Sequence, residues 1–284
     1  MMSIKNQSNP FKFMVAVFLM RTGLSKFFVI KQKHYRLRFY PTKLSRALFI
    51  DPHYWDSTYK LRSGFFWNYL GPGDIVIDVG SHIGQITLES AVKIGSSGKV
   101  YSIEPHPRIF KYLQGNIKLN HLNNVIPYNC ALGDKTGTVT FVDNPTDPSS
   151  AVASDNEEGI EVPLRKLDEI IPSKTEITLM KLFAVGYEKF VLLGAGNTLN
   201  NVKCIHFRKY RTKFAEKFHY NYIEVFKILL DYGFQIFHIR ENKTIVPIPQ
   251  NYDPKGWGTR DEEDFVALRD VNDFLKRTEF KINS

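Results

Sequence analysis

The segment Asp74–Gly84, which reads DIVIDVGSHIG, restricts the fold more than any other part of the sequence. Residues 75–79 are apolar except for one acid, Asp78, and such a run is typical of a strand buried in a parallel sheet. Gly80 allows the chain to turn sharply after this strand, and Gly84 allows the next helix to pack closely. Because ligands of open α/β sheets bind beyond the carboxyl ends of the strands, the segment predicts a ligand site at this turn.

Short apolar runs alternate with helical patterns from residue 74 onward, which predicts βαβ units. Seven strands are predicted, at Ile75–Val79, Lys99–Ile103, Val125–Asn129, Ile177–Leu182, Lys203–Phe207, Phe234–Ile239 and Asp264–Leu268. The clearest helices are predicted at Glu89–Ile94, Ile109–Asn120 and Ile223–Tyr232. We therefore predict an α/β fold with a mostly parallel, seven-stranded sheet and helices on both faces.

One interval breaks the alternation of strands and helices. Thr138–Val142 and Ile160–Leu164 have strand patterns, and the polar segment Asp143–Gly159 separates them. Long loops without secondary structure are uncommon in compact domains unless they serve a function. We expect this strand pair to leave the main sheet and its loop to cover the ligand site.

The positive charge of the chain is concentrated at its N-terminal end. Residues 1–62 contain 12 of the 38 Lys and Arg residues but only two of the 29 acids. The other 222 residues therefore carry 26 bases and 27 acids. We divide the chain into a basic N-terminal arm at 1–62, expected to be helical, and a main domain at 63–284. The nearly neutral main domain disfavours nucleic acid as a partner.

The arm also contains the apolar runs Phe13–Met20 and Phe27–Ile30. The first run has eight residues, far short of the roughly 20 that cross a bilayer as a helix. Three interpretations stay open: a helix that packs on the domain, a peripheral contact with a membrane surface or another anionic partner, and a targeting segment. The two cysteines, Cys130 and Cys204, have no metal-ligand spacing, which favours a reducing, cytoplasmic compartment.

The ends of the first two predicted strands indicate which ligand binds. Glu104 ends the second strand 20 residues after Gly84, about the spacing at which an acid reaches the ribose hydroxyls of adenosine. The Gly80–Gly84 turn lacks the middle glycine of a dinucleotide motif, and Asp78 would repel a pyrophosphate. The same acid suits the ammonium group of S-adenosyl-L-methionine. The sequence therefore favours this cofactor, and a methyltransferase, over NAD and an oxidoreductase.

Several short motifs resemble those of FkbM-type methyltransferases. Residues 77–84 with Thr87 and Leu88 resemble the family's DVGANIG motif and its following TL pair. Further matches come in the same order along residues 65–205, at Gly98–Tyr101, Glu104–Pro105, Asn116–Ile117, Leu119–Asn120, Ala131–Asp134, Gly186–Glu188, Val191–Leu192 and Gly194–Ala195. The resemblance implies a class I, Rossmann-like methyltransferase that acts on hydroxyl groups of sugars or natural products.

The resemblance also implies roles for individual residues at the cofactor site. The methionine and ribose pocket would be shaped by Asp78, Gly80, Ser81, Gly84 and, in the same turn, His82. Glu104 would hold the ribose hydroxyls, and Asn129 and Ala131 would flank the adenine. Methyl transfer would proceed by in-line attack of an acceptor oxygen on the sulfonium methyl group.

The chain departs from the family pattern after the fourth strand. The family reads K-[IL]-D-V-E-G-[YA]-E there, whereas residues 181–188 read KLFAVGYE. Phe183 and Val185 thus replace two acids, while Lys181 and Glu188 are retained as candidate catalytic residues. A general base adds typically ~10²–10⁴-fold to a rate, so the loss affects the base and any metal more than cofactor binding.

These replacements leave two functions open. One is O-methylation of a small-molecule or carbohydrate acceptor, and the other is a weak or inactive cofactor-binding relative with a membrane-surface or interaction role. His106 and His206, at predicted strand ends, are candidate replacement bases, and His53, which precedes the main domain, could fold over the substrate mouth. Arg208 stands where an acid often follows the next strand, and the basic, aromatic run 207–214 could hold phosphate groups. No His/Cys/Asp cluster has metal-ligand spacing.

Overall fold

The computed structural model describes residues 9–52, 62–143, 151–154, 157–210, 215–240, 243–249 and 263–283. The arm contains helix α1 (Pro10–Arg21), strands β1 (Val29–Lys31) and β2 (Arg36–Arg38), and helix α2 (Lys43–Ile50). The main domain then runs through α3 (Arg62–Tyr69), β3 (Ile75–Val79), α4 (Gln85–Ile94), β4 (Lys99–Ile103), α5 (Pro107–Leu119), β5 (Val125–Tyr128), β6 (Ala131–Leu132), β7 (Gly137–Phe141), β8 (Ile160–Arg165), β9 (Ile177–Leu182), α6 (Glu188–Leu193), α7 (Gly196–Leu199), β10 (Val202–Lys209), α8 (Ile223–Asp231), β11 (Gln235–Arg240), β12 (Thr244–Pro247), β13 (Glu263–Leu268), α9 (Val271–Arg277) and β14 (Lys281–Ile282).

Within the described ranges the main sheet has nine strands, in the order β14-β12-β11-β13-β10-β9-β3-β4-β5. Five of its eight pairings are parallel, so the predicted mostly parallel sheet is confirmed. The prediction of seven strands was wrong because β12 and β14 extend one edge. These strands have four and two residues, too few for an apolar alternation to identify them in sequence.

Helices cover both faces of this sheet, as predicted. Successive strand residues point to opposite faces, so Ile77 joins the apolar cluster under α6 and α8 while Val76 joins the cluster under α3, α4 and α9. The polar ends of β3, β4, β9 and β10 therefore meet at one edge, between two layers of helices. This edge holds the predicted ligand site.

The predicted excursion from the main sheet is confirmed as a separate three-stranded sheet, in the order β6-β8-β7. β7 and β8 pair antiparallel, with Phe141 opposite Ile160, and Val152 forms a further bridge to Phe141. Residues 144–150 and 155–156 of the intervening loop lie outside the described residues, so the expectation that the loop covers the site stays a prediction.

The arm packs on the main domain through helices and a short hairpin. Leu37, Phe39 and Leu48 form one apolar cluster with Ile83 and Ile109 of the main domain. This observation agrees with the interpretation of the arm as a packed element. None of the helices in the described ranges is both long and apolar enough to cross a membrane.

Candidate active site

The turn after β3 depends on two glycines. Gly80 and Gly84 have φ angles of +76° and +93°, values that residues other than glycine rarely adopt. A Cβ atom would lie 2.3 Å from the carbonyl oxygen of Phe183 at Gly80, and 2.6 Å from Cδ1 of Leu113 at Gly84. The predicted sharp turn and close helix packing are therefore both present, and the turn lies directly against the end of β9.

Asp78 forms a buried ion pair at the end of β3. Its Oδ1 atom lies 2.9 Å from Nζ of Lys181, and its Oδ2 atom accepts a hydrogen bond of 2.6 Å from Oγ1 of Thr87. The side chain has no exposed surface. Both oxygens thus face groups of the protein, which favours a supporting role for Asp78 over direct contact with the amino group of the cofactor.

Three buried hydroxyl groups extend this interaction under the turn. Ser102 donates to Ser81 Oγ at 2.7 Å, Ser81 donates to the carbonyl oxygen of Asp78 at 2.7 Å, and Thr87 Oγ1 lies 2.8 Å from Ser102 Oγ. Sequence reasoning singled out Ser81 but gave no role to Ser102. Thr87 could have been identified from the sequence, because it belongs to the TL pair of the motif. The hydrogen bonds among these hydroxyl groups hold the backbone of the turn in place.

Lys181 completes this network from the neighbouring strand. Its ammonium group donates to the carbonyl oxygens of Val79, at 2.9 Å, and Gly80, at 2.7 Å. With Asp78 these make three acceptors for the three protons of a side chain that is buried. The geometry favours a positioning role for Lys181 over proton transfer.

Glu104 lies at the end of β4, beside the glycine turn. Its Oε2 atom accepts a hydrogen bond from the backbone N–H of His82 at 2.8 Å, and its Oε1 atom from that of His106 at 2.9 Å. Burial raises the pKa of the carboxyl group to about 7, although these two N–H groups and Lys181 act in the opposite direction. Each oxygen of an ionised carboxylate keeps a lone pair for a further donor. These two acceptor oxygens fit two donating hydroxyl groups of a ribose.

Three other predicted cofactor residues surround Glu104. His82 is half-buried in the turn, at φ +52°, and presents its N–H to Glu104. Asn129 donates to the carbonyl oxygens of Glu104, at 2.9 Å, and Pro105, at 2.8 Å. Ala131 is buried in β6, opposite Leu164 of β8. Asn129 therefore holds the chain after β4, and Ala131 belongs to the small sheet beside it.

Glu188 holds a second turn, at residues 183–188 after β9. Its buried carboxyl group accepts hydrogen bonds of 2.9 Å from the N–H groups of Ala184 and Gly186. Burial raises its pKa to about 7 against the effect of the surrounding backbone N–H groups. Val185 has φ +51°, a strained conformation for a β-branched residue, and Gly186 has φ +93°. Glu188 thus stabilises an unusual backbone rather than facing an acceptor.

Phe183 contributes an aromatic ring between two cations, where the family has an acid. The ring centroid lies 4.6 Å from Lys181 Nζ and 5.1 Å from the guanidinium carbon of Arg208. The ring of His206 approaches it edge-on at 5.2 Å. The two cations and the half-buried ring form one wall of this edge.

Asp264 places a carboxylate beside that wall, although sequence reasoning did not identify it. It accepts hydrogen bonds of 3.0 Å on each oxygen from Nε and Nη2 of Arg208, and His206 Nε2 lies 3.6 Å from its Oδ1 atom. Burial opposes ionisation, but Arg208 and His206 keep the pKa of Asp264 below its ordinary value. Asp264 lies opposite Arg208 in the β10–β13 pair, a contact that no local pattern signals.

The remaining candidates lie apart from this cluster or outside the described residues. His106 caps α5 by accepting from the N–H of Arg108 at 3.2 Å, and its Nε2 atom lies 2.9 Å from Oδ1 of Asp143. His53 and residues 211–214 of the basic, aromatic run are outside the described ranges. The structure therefore brings His206, but not His106, next to Phe183.

A parallel strand that ends in a glycine turn, with a buried acid at the end of the neighbouring strand, defines a nucleoside-binding α/β domain. The family model of the methyltransferase FkbM domain matches residues 78–236, more than half of the chain. The protein therefore belongs to the FkbM family, a class of S-adenosylmethionine-dependent methyltransferases. The resemblance inferred from the motifs is thereby confirmed.

Individual relatives match the chain over different lengths. The tRNA(Phe) (4-demethylwyosine(37)-C(7)) aminocarboxypropyltransferase of Methanocaldococcus jannaschii is 46% identical over 54 residues, which are 19% of this chain and 21% of that protein. The chain thus spans about a fifth of the length of this relative. The structure of methyltransferase FkbM from Methylobacillus flagellatus KT is 16% identical, with a TM-score of 0.47, over 78% of this chain and 52% of that one. A SAM-dependent methyltransferase from Aquifex aeolicus is 14% identical, with a TM-score of 0.41, over 76% and 92%.

Proposed function

We propose that this protein transfers the methyl group of S-adenosylmethionine to a hydroxyl group of a small-molecule or carbohydrate acceptor. The observation that carries the proposal is the carboxyl group of Glu104, which two backbone N–H groups hold beside the glycine turn. Each oxygen of Glu104 can therefore accept one further hydrogen bond, from a ribose hydroxyl group. The family motifs and the fold predict a ribose at this strand end.

The cofactor supplies an electrophilic methyl group on a sulfonium, and the chain supplies the binding and orientation. Glu104 accepts hydrogen bonds from the ribose hydroxyls. The Gly80–Gly84 turn lets the ligand approach the main chain, while Asn129 and Ala131 line the adenine side. Asp78 and Lys181 keep the turn in shape, so they act through other residues and not on the reacting atoms.

The acceptor hydroxyl lies, in this proposal, against the wall formed by Phe183. The apolar ring excludes water, and alignment of the nucleophile with the methyl group supplies a large part of the acceleration. Proton removal falls to His206, because Phe183 and Val185 cannot accept a proton and the His206 ring lies 5.2 Å from that of Phe183. Asp264 Oδ1, 3.6 Å from His206 Nε2, would position the imidazole. His206→Gln should then lower turnover while cofactor affinity stays unchanged.

A small or carbohydrate acceptor is favoured over nucleic acid by the charge balance of the main domain, 26 bases against 27 acids in residues 63–284. The archaeal relative named as a tRNA enzyme matches only 54 residues. A second function, cofactor binding with weak or no turnover, is supported by Phe183 and Val185 at the positions of the two family acids. A cytoplasmic location is also proposed, whereas peripheral membrane attachment through the arm is a separate proposal that does not depend on methyl transfer.

Calorimetric titration of the intact protein with S-adenosylmethionine and S-adenosylhomocysteine tests the cofactor site. Glu104→Ala should weaken binding by about 100-fold or more, because two hydrogen bonds to a charged group contribute roughly 1.5–3 kcal/mol each. Glu188→Gln is the matched control, since Glu188 has a similar pKa but holds the other turn. Absence of binding by the folded, intact protein would refute the proposal.

Release of S-adenosylhomocysteine, measured with a panel of sugars and hydroxylated small molecules beside total tRNA, tests the acceptor class. Turnover with members of the panel and not with tRNA is the expected result. Turnover with tRNA alone would overturn the acceptor class. Tight cofactor binding without turnover on either set would favour the second function.

A further inference from the structure

Most of the large apolar side chains that are exposed in the described part of the chain belong to the arm. Ten large apolar side chains are exposed in the described part of the chain, and seven of them belong to residues 11–29. We call these seven the arm patch: Phe11, Met14, Phe18, Leu24, Phe27, Phe28 and Val29. The apolar side chains of a water-soluble domain are rarely concentrated in this way unless they bind something.

Helix α1 is apolar on two sides, only one of which is covered. Ala16 and Leu19 are buried in the cluster that joins the arm to the main domain. Phe11, Met14 and Phe18 follow a spacing of three and four residues, which places them on a common face. Phe11 and Phe18 are 70% and 60% exposed, so packing within the chain does not account for this second face.

The surroundings of the arm patch are strongly cationic. Residues 1–50 contain ten Lys and Arg residues and no acid. The exposed cations between residues 11 and 33 are Lys12, Arg21, Lys26, Lys31 and Lys33. Lys26 lies over the ring of Phe27, 5.4 Å from its centroid, so charge and apolar surface are adjacent. An apolar face bordered by cations complements an anionic lipid surface, where aromatic rings enter the headgroup region and Lys and Arg contact the lipid charges.

The arm patch is presented on a fixed support. The Arg36 N–H donates to Oδ1 of Asn120 at 2.8 Å, and Nδ2 of Asn120 donates to the carbonyl oxygen of Arg36 at 2.7 Å. Two residues further along β2, the Arg38 N–H donates to Oδ1 of Asn116 at 2.8 Å, while Nδ2 of Asn116 donates to the carbonyl oxygen of Ile83 in the glycine turn at 2.8 Å. The arm is therefore joined to α5 and the turn by hydrogen bonds of the Asn116 and Asn120 side chains as well as by its apolar cluster.

We propose that the arm patch docks the protein on a membrane surface rich in anionic lipids. Phe11, Phe18 and Phe27 enter the boundary between headgroups and acyl chains, and the surrounding cations bind the lipid phosphates or carboxylates. A second copy of the chain is disfavoured as the occupant, because it would bring two acid-free, cationic arms together. The inference is independent of methyl transfer, since the patch and the proposed cofactor residues are different.

Co-sedimentation of the full-length protein with vesicles tests the proposal. The probes are phosphatidylcholine vesicles and vesicles with about one third phosphatidylglycerol, each at low and high salt. We expect at least tenfold tighter binding to the anionic vesicles and a clear loss of binding at high salt, because surface charges are screened. Equal binding to both vesicle types, or none to either, would overturn the proposal.

Substitutions distinguish vesicle binding through the arm patch from unspecific binding of the protein to vesicles. The triple variant Phe11→Ser/Phe18→Ser/Phe27→Ser should lose at least tenfold in affinity for anionic vesicles, and Lys26→Glu/Lys31→Glu should lose a similar factor at low salt. Leu193→Ser/Leu230→Ser is the matched control, since both leucines are exposed but lie on the main domain. Unchanged vesicle binding by the triple variant would refute a role for the patch.

Two further measurements distinguish membrane binding from misfolding of the variants and from self-association. Binding of S-adenosylhomocysteine and thermal unfolding report whether each variant is folded, independently of lipids. Sedimentation velocity reports self-association, and a dimer that the triple variant abolishes, without any vesicle binding by the intact protein, would assign the patch to a second copy of the chain instead.

Discussion

Two turns lie side by side at the edge of the sheet, one after β3 at residues 80–84 and one after β9 at residues 183–188. They are in direct contact, since the N–H of Phe183 donates to the carbonyl oxygen of Val79 at 3.3 Å. Both contain residues at positive φ, and both are held by a buried carboxyl group, Glu104 in one case and Glu188 in the other. They differ in what the retained residues do.

In the first turn the family motif is retained nearly throughout, and its residues hold the backbone beside the proposed ligand-binding carboxyl group of Glu104. In the second turn Gly186, Tyr187 and Glu188 are retained, and Gly186 and Glu188 shape its backbone. Lys181, at the end of β9, is also retained, but it binds the first turn. The positions changed to apolar residues are Phe183 and Val185. The comparison indicates that the geometry of the cofactor turn has been kept independently of the acids beside the acceptor.

Lys181→Met should cause the largest loss of stability, and it tests whether Lys181 holds the first turn. Removing one member of a buried ion pair leaves an uncompensated charge on Asp78, which lowers the free energy of unfolding by about 3–5 kcal/mol. Urea denaturation measures this loss. Lys189→Met is the control, because its pair with Glu224, at 2.7 Å, is partly exposed and contributes up to about 1 kcal/mol. A loss below that of the control would show that Lys181 does not hold the first turn.

Gly80→Ala should have the next largest effect. The positive φ costs about 1–2 kcal/mol for a residue with a Cβ atom, and displacement of the Phe183 carbonyl adds a further ~1–3 kcal/mol. Gly23→Ala is matched in φ, at +73°, but has no atom within 4 Å of the new Cβ. Thermal unfolding should therefore separate the two variants. Equal losses would mean that the two turns can move apart freely.

The pH dependence of stability follows from the two carboxyl groups together. The pKa of Glu104 and that of Glu188 are about 7 in the folded protein, against an ordinary value of 4.5. The folded state therefore binds more protons than the unfolded state between these values. Each group then lowers the free energy of unfolding as the pH rises from about 4.5 to 7, by at most about 3 kcal/mol. Urea denaturation between pH 5 and 8 measures the slope.

Cofactor affinity should rise with pH, whereas stability falls, because only ionised Glu104 keeps an acceptor for each ribose hydroxyl. Binding of S-adenosylhomocysteine should therefore strengthen as the pH rises through 7. Glu104→Gln should remove this dependence but keep the part of the stability slope that comes from Glu188. Glu188→Gln should do the reverse. A binding slope that persists in Glu104→Gln would exclude Glu104 as its source.

The sequence predicted the first turn better than the second, for a physical reason. The glycines, Ser81 and Glu104 act close to their own strand ends, so motif and spacing were sufficient to identify them. Asp264 reaches the edge only through antiparallel pairing with β10, 56 residues after Arg208. The direction of the Lys181 side chain, back toward Asp78, also depends on strand neighbours. Edge strands β12 and β14 were missed because they are too short to show a period.

The smallest effect on stability is expected for Phe183→Asp, which sharpens the comparison at the second turn. The variant loses contacts of the ring with Lys181 and Arg208, roughly 0.5–1 kcal/mol each, and regains attraction between the new carboxylate and the same cations. The free energy of unfolding should therefore change by less than about 1 kcal/mol, and cofactor affinity should be retained.

Phe183→Asn is the control for methyl transfer, since asparagine has the shape of aspartate without its charge. If the acid of the family acts as a base, methyl transfer by Phe183→Asp should exceed that of Phe183→Asn by about tenfold or more. Loss of transfer in both variants would instead identify the aromatic ring as part of the acceptor site, so that the second turn would have exchanged one function for another.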